Sequence, residues 1–249
     1  MHKPTWRVVS ILNYVSSNKG VTLVACSNAL GIPVGTIYPI LQTLVDMQYL
    51  SYDTSSRQYT TGLRLFLAGS VYATGENGYE SVTEILRQSA EKCGGETMHL
   101  AKLEGGNVLY VIKVESTQSV RTYSSVGAIL PAYGTSLGKA LLSDLSLDEL
   151  KNLYPDGLKP ITRNTITSFD VLVSQLEEIR KTGFAYECEE SNYDVRCIAR
   201  PLRLNGHVVA AISVAMPVFR YSVSKKEQIE KELVRASSQI EKILPYMSL

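Results

Sequence analysis

The sequence of 249 residues is poor in the residues that build disulfide frameworks and metal sites. It contains three histidines and four widely spaced cysteines, Cys26, Cys93, Cys188 and Cys197, without a Cys-x-x-Cys pair. This pattern indicates neither a disulfide-stabilised secreted fold nor a zinc-finger module. We therefore expect no metal and no cofactor.

Long apolar runs and an excess of one charge are also missing. No apolar stretch approaches the roughly 20 residues that a membrane-spanning helix needs, and Arg7, Ser10 and Asn13 interrupt the first apolar stretch, unlike in a signal peptide. With 45% hydrophobic residues, 20% charged residues and a net charge of +1, the composition is that of a globular protein long enough for two domains. The expected location is the cytoplasm, without a membrane partner.

Residues 22–50 have the pattern of a helix-turn-helix. Thr22 is a good N-cap for a short first helix, Gly31 suits its left-handed end, and Ile32-Pro33 makes the turn. A second helix is predicted from about Val34, with one apolar face formed by Ile37, Ile40, Leu41, Leu44 and Val45. An ordinary helix pair has the same spacing, so the surroundings must decide.

The outer face of the second helix carries groups that reach phosphates and base edges in a major groove. The candidate DNA-binding residues are Thr22, Thr36, Tyr38, Pro39, Gln42, Thr43 and Arg57. Residues 1–64 hold five Lys or Arg against two Asp, a charge of 5 − 2 = +3, whereas the whole chain carries +1. Positive charge is therefore concentrated where phosphate contact is predicted.

Two neighbouring segments complete the predicted DNA-binding domain. The sequence SYDTSSRQYT after Leu50 predicts a β-hairpin wing with Arg57 near its tip. Residues 5–16 predict a preceding helix, whose inward face would be formed by Trp6, Val9, Leu12 and Val15. A helix with apolar spacing follows at residues 61–74, and Gly75-Glu76-Asn77-Gly78 is the best break in the chain. The expected organisation is a DNA-binding domain at 1–62, a linker helix at 63–78 and an effector-binding and oligomerisation domain at 79–249.

The remaining sequence alternates between helical and strand patterns. Helices are predicted at 79–92, at 134–143 and after three N-terminal signals, namely Ser146–Glu149, Thr167–Asp170 and Ser224–Glu227. Strands are predicted at 97–103, 107–115, 119–126, 184–190, 197–204 and 207–216, the last two joined by a hairpin at 204–206. This order predicts an α+β domain with a mostly antiparallel sheet and helices covering one face.

Three segments in this order resemble the IclR-type (isocitrate lyase regulator) transcription factors. They are TLVACSNALGIPVGTIYPILQTL, AYGTSLGKALLSDLSLDEL at 132–150, and ECEESNYDVRCIARPL followed by GHVVAAISVAMP at 187–217. The resemblance implies a winged helix-turn-helix, a linker helix and a GAF-like effector domain. It also implies a homodimer or dimer of dimers that binds a palindromic double-stranded operator, commonly as a repressor, under control of a small carboxylate or aromatic acid.

The resemblance also implies an effector pocket lined by Ser136, Leu137, Glu187, Cys197 and Ser213, to which we add Thr122. Independently, Thr135 or Ser136 is expected to cap a helix that begins near Leu137, whose positive end suits a carboxylate. A plain capped helix has the same sequence pattern. Two pocket positions depart from the family, because Glu187 stands where Asp is usual and Ala215 where Ser is usual.

Pro39 is a third departure, since the family usually has Arg there. Beyond the first helical turn, proline removes a hydrogen bond to the Gly35 carbonyl and crowds it, which predicts a kink or a delayed helix start. Operator specificity is then expected to depend more on Thr36, Tyr38 and Gln42.

Three alternatives remain open. Gly134-Thr-Ser136-Leu-Gly138 matches the nucleophile elbow of an esterase, although a poor strand precedes it and the only histidine downstream is His207. Metal binding would need Glu187, Cys188 and Cys197 to converge with His99 or His207. The second domain would be a pure dimerisation module if its last helix, residues 224–244, formed an interface. We favour a ligand-responsive DNA-binding regulator that is not an enzyme.

Overall fold

The computed structural model describes residues 1–74, 78–122, 124, 126–127 and 129–246. It divides into two compact units, Met1–Gly75 and Glu76–Leu249. The predicted break at 75–78 lies mostly outside the described residues. The domain boundaries at 62 and 78 therefore stay a prediction.

The first unit contains the predicted helix-turn-helix and wing. Its helices are α1 (Lys3–Ser17), α2 (Leu23–Leu30), α3 (Val34–Asp46) and α4 (Leu63–Thr74), and its strands are β1 (Leu50–Asp53) and β2 (Gln58–Thr61). The Thr22 hydroxyl caps α2, and Gly31 ends it in the left-handed conformation at φ 63°. The core is formed by Ile11, Val15, Val21, Cys26, Ile32, Ile37, Leu41, Leu44, Leu50 and Tyr59.

The inward face of α1 differs from the prediction. Trp6 and Val9 are exposed, whereas Ile11 and Val15 are buried. Apolar residues cover more than half of the circumference of this helix, so two overlapping stripes satisfy helical spacing. The stripe that faces α2 and α3 is the one rotated toward Ile11.

The predicted delay in the start of α3 is wrong. The helix begins at Val34 and continues through Pro39 to Asp46. The amides of Thr36 and Ile37 donate to the Pro33 carbonyl at 2.8 and 3.0 Å, so the first turn forms normally. The packing of Ile37 and Leu41 in the core holds the helix across the proline.

The second unit is an α+β domain built on one six-stranded sheet. Its helices are α5 (Tyr79–Lys92), α6 (Ser136–Leu141), α7 (Leu147–Leu153), α8 (Phe169–Thr182) and α9 (Val223–Ile240). Its strands are β3 (Thr97–Glu104), β4 (Asn107–Val114), β5 (Ile129–Pro131), β6 (Ala185–Cys188), β7 (Val195–Leu204) and β8 (His207–Pro217). The strand order is β5-β4-β3-β8-β7-β6, and every neighbouring pair is antiparallel. The antiparallel α+β class is confirmed.

Helices cover both faces of this sheet, which corrects the prediction of one covered face. On one face, α5 and α9 pack on large aliphatic side chains such as Ile198 and Ile212. On the other face, α6, α7 and α8 pack on small side chains, including Ala199 and Ala211. Strands with both faces covered carry few polar residues on either side, so alternation is a weak guide to their orientation.

Several local predictions were also wrong. The described residues within 119–126 form bends, turns and coil, and the strand that pairs with β4 is β5, at Ile129–Pro131. The N-cap of α9 is Ser222, whose hydroxyl accepts from the Lys225 amide, and not Ser224. The N-cap of α8 is Ser168 and not Thr167. The capping box at Ser146 and Glu149 is confirmed.

No single helix among the described residues is long and apolar enough to cross a membrane. The pair α2 and α3, bent by 119°, meets the length and composition criteria only when taken together.

Candidate functional site

The predicted DNA-binding residues lie on α3, at the start of α2 and at the wing tip. Tyr38, Pro39 and Thr43 are exposed, and Thr36 and Gln42 are half-buried. Two of the hydroxyl groups are hydrogen-bonded within the unit. The Thr22 hydroxyl accepts from the Ala25 amide at 3.2 Å, and the Thr43 hydroxyl donates to the Pro39 carbonyl at 2.9 Å. Tyr38 is the largest exposed side chain on this face of α3.

The wing tip is organised around the carboxylate of Asp53. It accepts hydrogen bonds from the Ser55 amide at 2.9 Å, the Ser55 hydroxyl at 2.7 Å and the Ser56 hydroxyl at 2.6 Å. The two hydroxyl bonds, followed by the amide bond, lower the pKa of Asp53 to about 2. Arg57 follows in the left-handed conformation, with φ 54°, and leads into β2. The turn therefore places a guanidinium at the end of the hairpin.

A cavity of about 230 Å³ lies on the α6 side of the sheet in the second unit. All six predicted effector residues line it. Its walls are formed by His99, Tyr110, Thr122, Ser124, Leu130, Thr135, Ser136, Leu137, Glu187, Ser191, Asn192, Val195, Cys197, Ser213 and Ala215. The cavity thus combines residues from β3, β4, β6, β7, β8, α6 and the connecting loops.

Small residues allow α6 to approach the sheet closely beside this cavity. Ala101, Ala199 and Ala211 are fully buried beneath the helix. Gly138 lies so near the preceding turn that a Cβ atom would be 2.0 Å from the Ala132 carbonyl oxygen. The Thr135 hydroxyl caps the helix by accepting from the Gly138 amide at 2.9 Å. Of the two caps that the sequence allowed, Thr135 is the one used, and Ser136 begins the helix.

Glu187 is the buried carboxyl group of the cavity wall. One of its oxygens, Oε1, accepts from the amides of Glu190 and Ser191 at 2.8 and 3.2 Å and from the Ser191 hydroxyl at 3.4 Å. Burial raises the pKa of Glu187, and these backbone hydrogen bonds partly offset the rise. Cys197 faces Glu187 across β6 and β7, and burial raises the pKa of its thiol.

The loop after β6 holds Glu187 in place. Glu190 accepts a hydrogen bond from the buried Lys139 ammonium at 2.7 Å, and its carbonyl accepts from the Thr165 hydroxyl at 2.6 Å. Glu189, at the start of the loop, has φ 57°, and Asp194, at its end, has φ 61°. An ion pair, a side-chain hydrogen bond and two left-handed residues therefore fix the segment that carries Ser191 and Asn192 to the cavity.

His99 is the cavity residue that sequence reasoning had placed only in a possible metal site. Its Nε2 lies 2.8 Å from the Ser124 hydroxyl, and its ring contacts Tyr110 edge-on with centroids 5.0 Å apart. Burial, reinforced by the Lys113 charge, lowers the pKa of His99 to about 3, so the imidazole is neutral near pH 7. The available signal was a histidine inside a buried strand, and the register that pairs it with Ser213 became visible only in the structure.

Two family models match the chain. The IclR helix-turn-helix domain matches residues 6–54, and the bacterial transcriptional regulator IclR C-terminal domain matches residues 71–242. The chain belongs to the IclR family. It is therefore a DNA-binding transcriptional regulator, as its sequence predicts.

Similar proteins agree with this membership. The HTH-type transcriptional regulator KdgR of Escherichia coli K12 is 28% identical over 243 residues, covering 96% of this chain and 92% of KdgR. The IclR transcriptional regulator of Alicyclobacillus acidocaldarius superposes with a TM-score of 0.89 at 25% identity, covering 98% of this chain and 99% of the other. An IclR homolog of Microbacterium hydrocarbonoxydans, crystallised with 4-hydroxybenzoate, shares the fold with a TM-score of 0.81 at 21% identity, covering 96% and 98%.

Within an IclR-type domain, the three alternative readings find little structural support. His99 contacts Ser124, and the structure describes no hydrogen bond between a histidine and Ser136. Among the described residues, no three His, Cys, Asp or Glu side chains converge as a metal site would require. The apolar face of the last helix, including Ile229 and Leu233, is buried against the sheet of its own unit.

Proposed function

We propose that this IclR-family regulator binds a two-fold operator as a dimer and that a small organic molecule in the 230 Å³ cavity changes its affinity for DNA. The observation that carries the proposal is the cavity itself. It gathers the six predicted effector residues, and it contains buried polar atoms that a ligand would satisfy.

The proposed DNA-binding surface is the exposed face of α3, extended by the wing. Tyr38 is placed to contact base edges or phosphates, and Thr36 and Gln42 flank it. Thr22 at the start of α2, and Pro39 and Thr43 on α3, complete the surface, with Thr43 serving as much to cap the Pro39 carbonyl as to meet DNA. Arg57 supplies a cation at the wing tip, where a phosphate contact adds affinity that depends on salt.

Exposed apolar side chains on the first unit support a dimer. On α4, Leu63 is 63% exposed and Phe66 is 69% exposed, and Trp6 on α1 is 40% exposed. Exposed apolar side chains of this size on neighbouring turns are typical of a protein interface. A two-fold pair of these units would present two copies of α3 to half-sites about one helical turn apart, or a multiple of it.

We further propose that the cavity binds and does not catalyse. Ser136 is the only nucleophile that the sequence placed in a catalytic motif. Its neighbour His99 is uncharged and is held by Ser124. Glu187 is held by the amides of its own loop. These contacts support ligand binding rather than activation of a serine.

The experiment is selection of bound sequences from random DNA, followed by affinity measurement at fixed salt. Wild type is expected to enrich a two-fold symmetric site, and Tyr38→Ala is expected to weaken binding about tenfold or more. Tyr193→Ala is the matched control, because Tyr193 is an equally exposed tyrosine in the second unit. Enrichment of no sequence, or equal affinities for Tyr38→Ala and wild type, would contradict the proposed surface.

A further inference from the structure

Three buried polar atoms that line the cavity have no hydrogen-bond partner within the described part of the chain. They are His99 Nδ1, Thr122 Oγ1 and Glu187 Oε2, here called the open polar atoms. The side chains are almost inaccessible, with exposed fractions of 3%, 9% and 1%. Buried polar groups in proteins are nearly always hydrogen-bonded, so each open polar atom identifies a position where a ligand group binds.

At one end of the cavity, Glu187 calls for a hydrogen-bond donor. Its Oε1 is occupied by the three donors of the loop, and Oε2 faces the cavity. No Lys or Arg is present among the described lining residues. A ligand carboxylate there would meet a second carboxyl group without a cation to offset the repulsion, which is costly in a buried site. A ligand hydroxyl can donate to Oε2 at no such cost.

Other charges around Glu187 do not reverse this conclusion. The Lys139 ammonium is hydrogen-bonded to Glu190 and Gln175, and the Glu190 charge raises the pKa of Glu187 further. The titratable and charged groups on the elements packed around Glu187 are Cys197 on β7, Tyr110 on β4, His99 on β3, Lys139 on α6, Glu190 in its own loop, and Arg196 and Glu178 on the far side of β6.

At the other end, His99 and Thr122 suit an uncharged hydroxyl group. In a neutral imidazole, one nitrogen donates and the other accepts, so His99 Nδ1 takes whichever role the bond to Ser124 leaves to it. A threonine hydroxyl also donates or accepts. A ligand hydroxyl matches either tautomer, whereas an ammonium or a carboxylate matches only one.

The two ends are separated by an apolar middle. Glu187 lies on β6 and His99 on β3, three strands apart, so about 14 Å separates their backbones at ~4.8 Å per strand. Between them, the wall is formed by Leu130, Leu137, Val195 and Ala215. An apolar cavity of about 150 Å³ holds benzene, so this cavity has room for one six-membered ring with two small substituents.

We propose that the cavity binds an uncharged molecule with an apolar body and a hydroxyl group at each end, one donating to Glu187 and the other meeting His99 and Thr122. The inference rests on the proposed effector function and names the chemical class of its ligand. It differs from the acid that the family resemblance implies, because the acid would be placed against Glu187.

The test uses the full chain and matched probes in thermal-shift and calorimetric titrations at pH 7.5. One set is 1,4-benzenedimethanol, 4-(hydroxymethyl)benzoate and 4-methylbenzyl alcohol, and parallel sets carry the same end groups on cyclohexane and hexane bodies. In at least one set, the diol is expected to bind about tenfold or more tightly than both the acid and the mono-alcohol, as expected for a hydrogen bond to a charged group.

Variants assign each end of the ligand. Glu187→Gln is expected to weaken diol binding and to strengthen acid binding, because the amide removes the repelling carboxylate. His99→Phe is expected to bring diol and mono-alcohol to equal affinity. Glu177→Gln is the control, since Glu177 is an exposed carboxylate on α8 outside the cavity wall. Thermal midpoints of the free variants establish that each is folded.

The outcomes separate this inference from the proposed function. Acids that bind more tightly than diols to wild type, or an acid-to-diol ratio unchanged in Glu187→Gln, would overturn the ligand class and leave an effector function standing. No stabilisation by any probe, with DNA binding intact, would overturn the ligand class. Failure of a wider metabolite screen to stabilise the chain would then count against the effector function itself.

Discussion

The ammonium of Lys139 lies 2.7 Å from the carboxylate of Glu190 in the interior of the second unit. Lys139 is fully buried, and its second partner is the Gln175 side-chain oxygen at 2.9 Å. Burial raises the pKa of Glu190, and the Lys139 charge opposes that rise. Because the Glu190 amide donates to Glu187, this ion pair connects α6 to the polar end of the cavity.

Removing one partner of this pair is expected to destabilise the second unit strongly. Lys139→Met leaves a buried carboxylate without its cation, which costs about 3 to 5 kcal/mol in other proteins. Urea unfolding of the full chain measures the change, and adding Glu190→Gln is expected to restore part of it. The control is Arg87→Met, which removes an exposed pair with Glu91 on α5 and should leave the midpoint unchanged.

His99 is expected to make stability fall as the pH is lowered. The unfolded chain takes up a proton on this imidazole near its ordinary pKa of about 6.5, whereas burial holds the folded pKa at about 3. Between these values, the unfolded state binds more protons, so wild type loses about 1.4 kcal/mol per pH unit relative to His99→Gln. Unfolding free energies of both chains from pH 7 to 4 measure the difference. Parallel curves would show that His99 is not buried and neutral.

Two helical glycines are expected to respond oppositely to alanine. In Gly138→Ala, the added Cβ would be 2.0 Å from a backbone oxygen that cannot move freely, so the second unit should lose stability or fail to fold. In Gly35→Ala, no atom lies within 4 Å of the added Cβ in the described structure. This change should stabilise α3 by about 1 kcal/mol, the usual difference between the two residues in a helix. Thermal unfolding of both variants checks the signs.

Pro39→Ala is expected to stabilise the first unit. The alanine restores an amide that can donate to the Gly35 carbonyl, and a proline inside a helix costs up to about 3 kcal/mol. Pro33→Ala is the control, because Pro33 is the N-cap of α3 and no helical hydrogen bond is missing there. The unfolding midpoint of the first unit in the full chain is the measurement. An unchanged midpoint for Pro39→Ala would mean that the core packing of α3 already compensates for the missing bond.

Sequence reasoning placed most elements correctly where a single pattern dominated. The bounds of α5, the wing and the hairpin between β7 and β8 were predicted because cap, turn and spacing signals agreed. The six effector residues came from the family resemblance, and the structure brings all six to one cavity. Residue spacing alone would not have joined Thr122 to Glu187, since sheet topology and a loop bring them together.

Errors arose where two patterns competed. On α1, the stripe through Trp6 and the stripe through Ile11 both fit helical spacing, and only tertiary packing chooses between them. Ser222 and Ser224 both have cap chemistry, and the chain uses the earlier one. His99 shows no periodic signal of its own, because its neighbours in β3 are buried on both faces of the strand.

The small residues beneath α6 limit how the pocket can change during evolution. A larger side chain at Ala101, Ala199 or Ala211 would lift the helix from the sheet and displace Ser136 and Leu137 from the cavity wall. New ligand preferences are therefore more accessible through the loops, where Thr122, Ser191 and Asn192 can vary without moving a helix. Regulators built on this domain can diversify at the loop side of the pocket while its helix-covered floor stays nearly constant.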